Sequence, residues 1–122
     1  MFNENVLELT KENTNFRKVL YTGPHSQLVV MSIPPGEDIG EEVHEKTDQI
    51  LFFVAGESEA VLNGESQKVR ENDAVFVPAG TKHNFKNTGN SNLKLYTVYS
   101  PPAHKDGTVH ITKKNAEAEE HY

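Results

Sequence analysis

The chain has no cysteine and no tryptophan, and only two methionines. Thiol catalysis, zinc fingers, iron–sulfur ligation and disulfide scaffolding are therefore excluded. Two methionines do not make a Met-rich binding groove. Long apolar stretches are missing as well. The longest uninterrupted run is Ile50 to Ala55, far short of the roughly 20 residues a membrane-spanning helix needs. Positive charge is also scarce: twelve Lys and Arg stand against eighteen Asp and Glu, a net charge of −6. That balance argues against a nucleic-acid or anionic-membrane partner. The first residues, MFNENVLELTKEN, lack the basic region and apolar stretch of a secretory signal, so a cytoplasmic location is expected.

What is present is six histidines in 122 residues. That length fits one domain over 1–122, large enough to bury a core. The histidines are the only soft nitrogen ligands, so transition-metal chemistry must run through them and the carboxylates. Acidity is concentrated toward the amino terminus. Residues 1–61 hold eleven acidic and four basic side chains, and six of those eleven lie between Glu37 and Asp48. A charge run is commonly a solvated loop, but this one marks where a cation would find ligands.

From Phe16 to Ser100, short β-branched or aromatic runs alternate with Gly, Pro, Asn and Asp. That is the pattern of an all-β sandwich or barrel. Strands are expected near 17–22, 26–34, 40–44, 49–55, 57–63, 66–70, 74–77, 83–87 and 93–99. Asn63-Gly64 is a strong hairpin signal, because both residues tolerate positive φ. Alternation puts Gln49, Leu51 and Phe53 on one face of their strand and Ile50, Phe52 and Val54 on the other. Both faces are apolar, so something must cover the outer one. A second sheet, a terminal segment or a second copy of the chain would each do so. Lys113 to His121 is charged and Ala- and Glu-rich, consistent with a short helix or a frayed tail.

Two spacings carry more information. One runs Asn72, five residues, Pro78, one residue, Gly80, two residues, His83, three residues, Asn87. The other runs Gly36, five residues, Glu42, one residue, His44, four residues, Gln49, six residues, Gly56. These resemble the two conserved motifs of the cupin superfamily, with Asn72 where the family has Gly, Glu42 where it has its first His and Gln49 where it has its Glu. The resemblance implies an antiparallel β-barrel of the jelly-roll (double-stranded β-helix) type over about 17–100. A post-barrel loop and tail would fill 101–122.

The residues themselves support a shared site. Glu42 and His44 are two apart and so face the same side of a strand. Gln49 opens the next strand, and His83 follows the Pro78-Ala79-Gly80 bend. Leu51, Phe53 and Phe85 would line a dry wall beside them. A carboxylate buried there without a cation or base would cost several kcal/mol. Glu42, His44 and His83 make a two-His-one-carboxylate set that suits Fe, Mn, Ni, Co or Zn. Gln49 adds a neutral amide oxygen that can ligate or hold a metal-bound water, but it cannot act as a base at neutral pH.

Softer candidates remain. His25 and His121 read as surface residues. His104 and His110 lie in a segment that could cover the barrel mouth. Tyr96 and Tyr99 are on opposite faces of the last strand, so at most one reaches the cavity. The resemblance implies a metal-dependent enzyme, dioxygenase-, isomerase- or lyase-like, acting on a small oxygenated molecule. The alternative is a small-ligand binding module without turnover. A homodimer is expected in either case.

Overall fold

Asn5 opens the first element, α1 (Val6–Glu12), by accepting a hydrogen bond at Oδ1 from the Glu8 backbone N–H at 3.0 Å. Val6, Leu9, Thr10 and Asn13 recur at helical spacing, and that face turns inward with Thr10 and Asn13 buried. The expected strands follow in chain order, most of them within a residue or two of the positions read from the alternation. They are β1 (Arg17–Thr22), β2 (Gln27–Ile33), β3 (Asp48–Ala55), β4 (Ser58–Leu62), β5 (Glu65–Val69), β6 (Ala74–Val77), β7 (His83–Asn87) and β8 (Leu93–Ser100). A two-residue strand, β9 (Val109–His110), and a helix, α2 (Lys113–Glu119), complete the computed structural model, which describes residues 1–119. His121 lies outside the described residues.

The strands form two antiparallel sheets, β6-β3-β8-β2-β1-β9 and β5-β4-β7. Their inner faces enclose one core that includes Val29, Met31, Ile33, Leu51, Phe53, Phe85, Leu93 and Leu95. Each such side chain contributes about 1.5–3 kcal/mol by leaving water. The β4–β5 hairpin turns at Asn63 and Gly64, both at positive φ. Asn72 is also left-handed, at φ 75. It stands where the cupin motif has Gly, and asparagine is one of the few side chains that tolerate this conformation.

The expected strand over 40–44 does not form. The segment instead touches β7 at two isolated bridges, Asp38 with Lys86 and Glu42 with His83. Between them Gly40, at φ 106, gives its N–H to the Asn84 side chain at 3.0 Å rather than to a backbone carbonyl. The ladder is broken there, but the bridge at Glu42 survives.

The outer face of the larger sheet is partly covered by α1, which packs against β8, β3 and β2. A terminal segment is thus one of its covers. Cross-strand register leaves an apolar row, Phe76, Ile50, Val98, Leu28 and Tyr21, running over five strands. Phe76 and Tyr21 at its ends are half exposed.

Candidate metal centre

Glu42 and His83 face each other across a reciprocal backbone pair, Glu42 N–H to His83 O and His83 N–H to Glu42 O, both 2.9 Å. This sets their side chains side by side. His44 is fastened two residues later, its carbonyl accepting from Gly80 N–H at 2.8 Å. The same bend is tied to β3 by Ala79 N–H donating to Asp48 Oδ1 at 2.9 Å. The Pro78-Ala79-Gly80 turn therefore holds both halves of the site together.

Glu42, His44 and His83 each bring one ligand atom to within 4.8 Å of the others. Glu42 Oε2 lies 2.9 Å from His44 Nε2, yet that nitrogen has no aligned hydrogen-bond partner among the described residues. Two ligands each about 2.1 Å from one ion and at right angles would stand about 3 Å apart. His83 Nδ1 lies 2.8 Å from the Thr81 carbonyl. A carbonyl only accepts, so Nδ1 carries the proton and Nε2 keeps its lone pair. Outer hydrogen bonds of this kind orient metal-binding histidines. The donor set fits a divalent ion.

Gln49 is buried, and its Nε2 donates to Thr97 Oγ1 at 3.1 Å, while Thr97 Oγ1 donates to the Ile50 carbonyl at 2.9 Å. These bonds fix the amide, and they leave Oε1 buried with no partner among the described residues. An acceptor so placed calls for a ligand or water. Tyr99, not Tyr96, faces inward. It is buried, and its ring stands edge-on to His44 with centroids 5.6 Å apart, whereas Tyr96 stacks on Phe52 at 4.8 Å.

Burial raises the Glu42 carboxyl, but the nearness of His44 and the charges of Arg17, His44 and His83 outweigh it and leave its pKa below the ordinary value. Arg17 was not apparent as a site residue in the sequence. It is 1% exposed and extends Nη2 to 3.5 Å from Glu42 Oε1. Its Nη1 lies 3.4 Å from His110 Nδ1, and His110 Nε2 lies 2.7 Å from Glu119 Oε2 on α2. A signal existed: Arg17 shares inward parity with Val19 at the start of β1, an unusual place for a cation. His110 is thus buried between Arg17 and Glu119. His25 is exposed, as expected.

His104 approaches the site from the post-barrel loop. Burial and then the Arg17 charge hold its pKa at about 3, with His44 and His110 adding to the depression and Glu42 opposing it. An unfolded chain takes up this proton near 6.5. The contribution of neutral His104 to stability is therefore complete above about 6.5 and falls as pH drops toward 3. Melting of the metal-free protein between pH 7 and 4.5 is expected to show a shallower loss in His104→Phe than in wild type. Equal slopes would contradict this placement.

The chain matches the cupin domain family over residues 29–99. It belongs to the cupin family. Among relatives of this cupin, Bacillus subtilis YrkC is 46% identical over 95% of the chain, which spans 66% of YrkC. A Bacillus halodurans crystal structure superposes with a TM-score of 0.95 at 44% identity, covering 96% of this cupin and 93% of that protein. The oxalate-binding protein of Thermotoga maritima is 32% identical over 56% of each chain. No helix among the described residues is long and apolar enough to cross a membrane.

Proposed function

We propose that this cupin holds a divalent metal (iron, manganese, nickel, cobalt or zinc) at Glu42, His44 and His83, with Gln49 Oε1 at or beside a fourth position. Such an ion supplies Lewis-acid or O₂-binding chemistry to a small oxygenated organic molecule. The convergence of three ligand atoms within 4.8 Å carries this reading. Glu42 provides the single negative charge of the set. His83 is presented through Nε2 by its bond to Thr81, and Thr97 orients Gln49. Leu51, Phe53 and Phe85, all at most 2% exposed, keep the inner wall dry.

Elemental analysis of protein purified without chelator is expected to give close to one transition-metal ion per chain, or to reach it on reconstitution. Glu42→Ala should lower affinity for that ion at least a hundredfold by titration calorimetry. Sub-stoichiometric metal that does not rise on reconstitution, with Glu42→Ala unchanged, would sink the reading.

Gln49 favours a second possibility, a binding module without turnover, because an amide cannot accept a proton at neutral pH. Ligands from a thermal-shift screen of sugars, phenols and keto acids separate the two. Consumption of a hit or of O₂ supports an enzyme, and tight binding with neither supports the module.

Pairing of two copies across the outer face of the larger sheet belongs to the same proposal. The row from Phe76 to Tyr21 is apolar along its whole length and incompletely covered by α1. Sedimentation is expected to give twice the chain mass at micromolar concentration. A monomer mass would argue against it.

A further inference from the structure

His104, beside the centre, has a buried polar atom that no described residue pairs with. His104 Nε2 is shielded from solvent and has no hydrogen-bond partner among the described residues. Its ring stands edge-on to Tyr99, centroids 5.1 Å apart and planes at 86°. On the other side Tyr99 meets His44 at 82°. The tyrosine thus touches both His104 and a proposed ligand of the ion. His104 is not among the residues whose ligand atoms cluster within 4.8 Å.

His104 is also held in place. Gln27, buried at 2% exposure, accepts at Oε1 from the backbone N–H groups of Ala103 and His104, at 3.2 and 3.0 Å. Its Nε2 donates to the His104 carbonyl at 2.7 Å and to Thr22 Oγ1 at 3.0 Å. Three of these four bonds clamp the post-barrel loop at one point. Register explains the location: Gln49, Tyr99 and Gln27 are direct cross-strand neighbours on the same inward face. The residue that clamps the loop and the residue proposed beside the ion therefore flank one tyrosine.

We infer that His104, clamped by Gln27, is a ligand-contacting residue of this cupin, and that its Nε2 hydrogen-bonds a second oxygen of a small oxo-acid whose first oxygen is on the ion. The inference rests on the metal reading above. An acid is favoured because a divalent ion held by two neutral histidines and one carboxylate, Glu42, keeps net positive charge among these ligands. The neutral imidazole suits this role. As an N–H it meets a carbonyl or carboxylate oxygen, and as a bare nitrogen it meets a hydroxyl. It binds and orients, and the proposal requires no proton transfer to it.

The test uses the full chain loaded with Co²⁺, whose visible spectrum reports ligands entering the ion's coordination. Oxalate, glycolate and pyruvate serve as probes. Wild type is expected to bind at least one of them. His104→Phe keeps an aromatic ring against Tyr99 but has no nitrogen. It should hold Co²⁺ within about twofold of wild type and weaken the bound acid about tenfold, the size of one lost hydrogen bond. His104→Gln should recover part of that loss, and it carries the test if the Phe variant does not fold. Gln27→Leu should weaken the acid as well, by freeing the loop. Unchanged acid affinity in His104→Phe and His104→Gln would overturn the inference. So would a Co²⁺-loaded wild type that binds none of the three acids, although the metal reading would then stand. Failure of wild type to take up Co²⁺ would instead remove both.

Discussion

Arg17→Met is expected to destabilise the metal-free protein by about 3 kcal/mol at neutral pH, measured by urea unfolding. Methionine retains most of the side-chain length and apolar contact, so the loss reports on charge. Arg17 is 1% exposed and Glu42 21%, and the two approach to 3.5 Å. Removing one member of a buried pair costs about 3–5 kcal/mol, since the other charge stays behind without compensation. The residual exposure of Glu42 places the expectation at the low end. His110 loses its Arg17 neighbour as well, while its contact with Glu119 on α2 remains. A cation on Glu42 supplies the charge that Arg17 no longer does. Excess Co²⁺ or Mn²⁺ should therefore narrow the gap between variant and wild type, beyond the stabilisation that any bound ligand confers by mass action. A variant within about 0.5 kcal/mol of wild type without metal would show that Glu42 does not depend on Arg17.

Phe85→Ala is expected to cost about 3–5 kcal/mol, the usual range for deleting a buried phenylalanine ring. Phe85 is 1% exposed, with Phe53 at 5.7 Å and His83 at 6.1 Å between ring centroids. The cavity left behind would open beside His83, so the imidazole loses a packing wall while its bond to Thr81 remains. Metal affinity should fall along with stability, though less than in Glu42→Ala. Thermal melting with and without metal separates the two effects. A loss below about 1 kcal/mol would mean that the core relaxes around the gap, and that the ring does little to hold His83.

How far the fold was legible follows from which signals are local. Strand positions came from two-residue alternation and turn residues, both of which act within a few positions along the chain. The hairpin at Asn63-Gly64 and the inward set Gln49, Leu51 and Phe53 needed nothing distant. The segment 40–44 misled because its alternation is real while its ladder is not. Gly40 diverts its N–H to a side chain on β7, forty-four residues away. Helix α1 was missed although Asn5, Val6, Leu9 and Thr10 carry a cap and a stripe, because seven residues make a weak periodic signal.

The candidate site divides the same way. The resemblance of two spacings to the cupin motifs singled out Glu42, His44, Gln49 and His83, since motif distances are written into the chain. Arg17, Gln27 and the positions of His104 and His110 were beyond its reach. Arg17 meets His110 across ninety-three residues, and Gln27 meets His104 across seventy-seven. Such contacts depend on how β1, β9 and the post-barrel loop close over the barrel, and no local pattern encodes that closure. The sequence by itself determined that this is a cysteine-free β-barrel of the cupin family with candidate nitrogen and oxygen ligands at set spacings. Only the tertiary structure decided which carboxylate is backed by a buried arginine, which tyrosine turns inward and which histidine nitrogens are buried without a partner among the described residues. Those outcomes depend on desolvation and on pairing between distant segments, which exist only once the chain has closed.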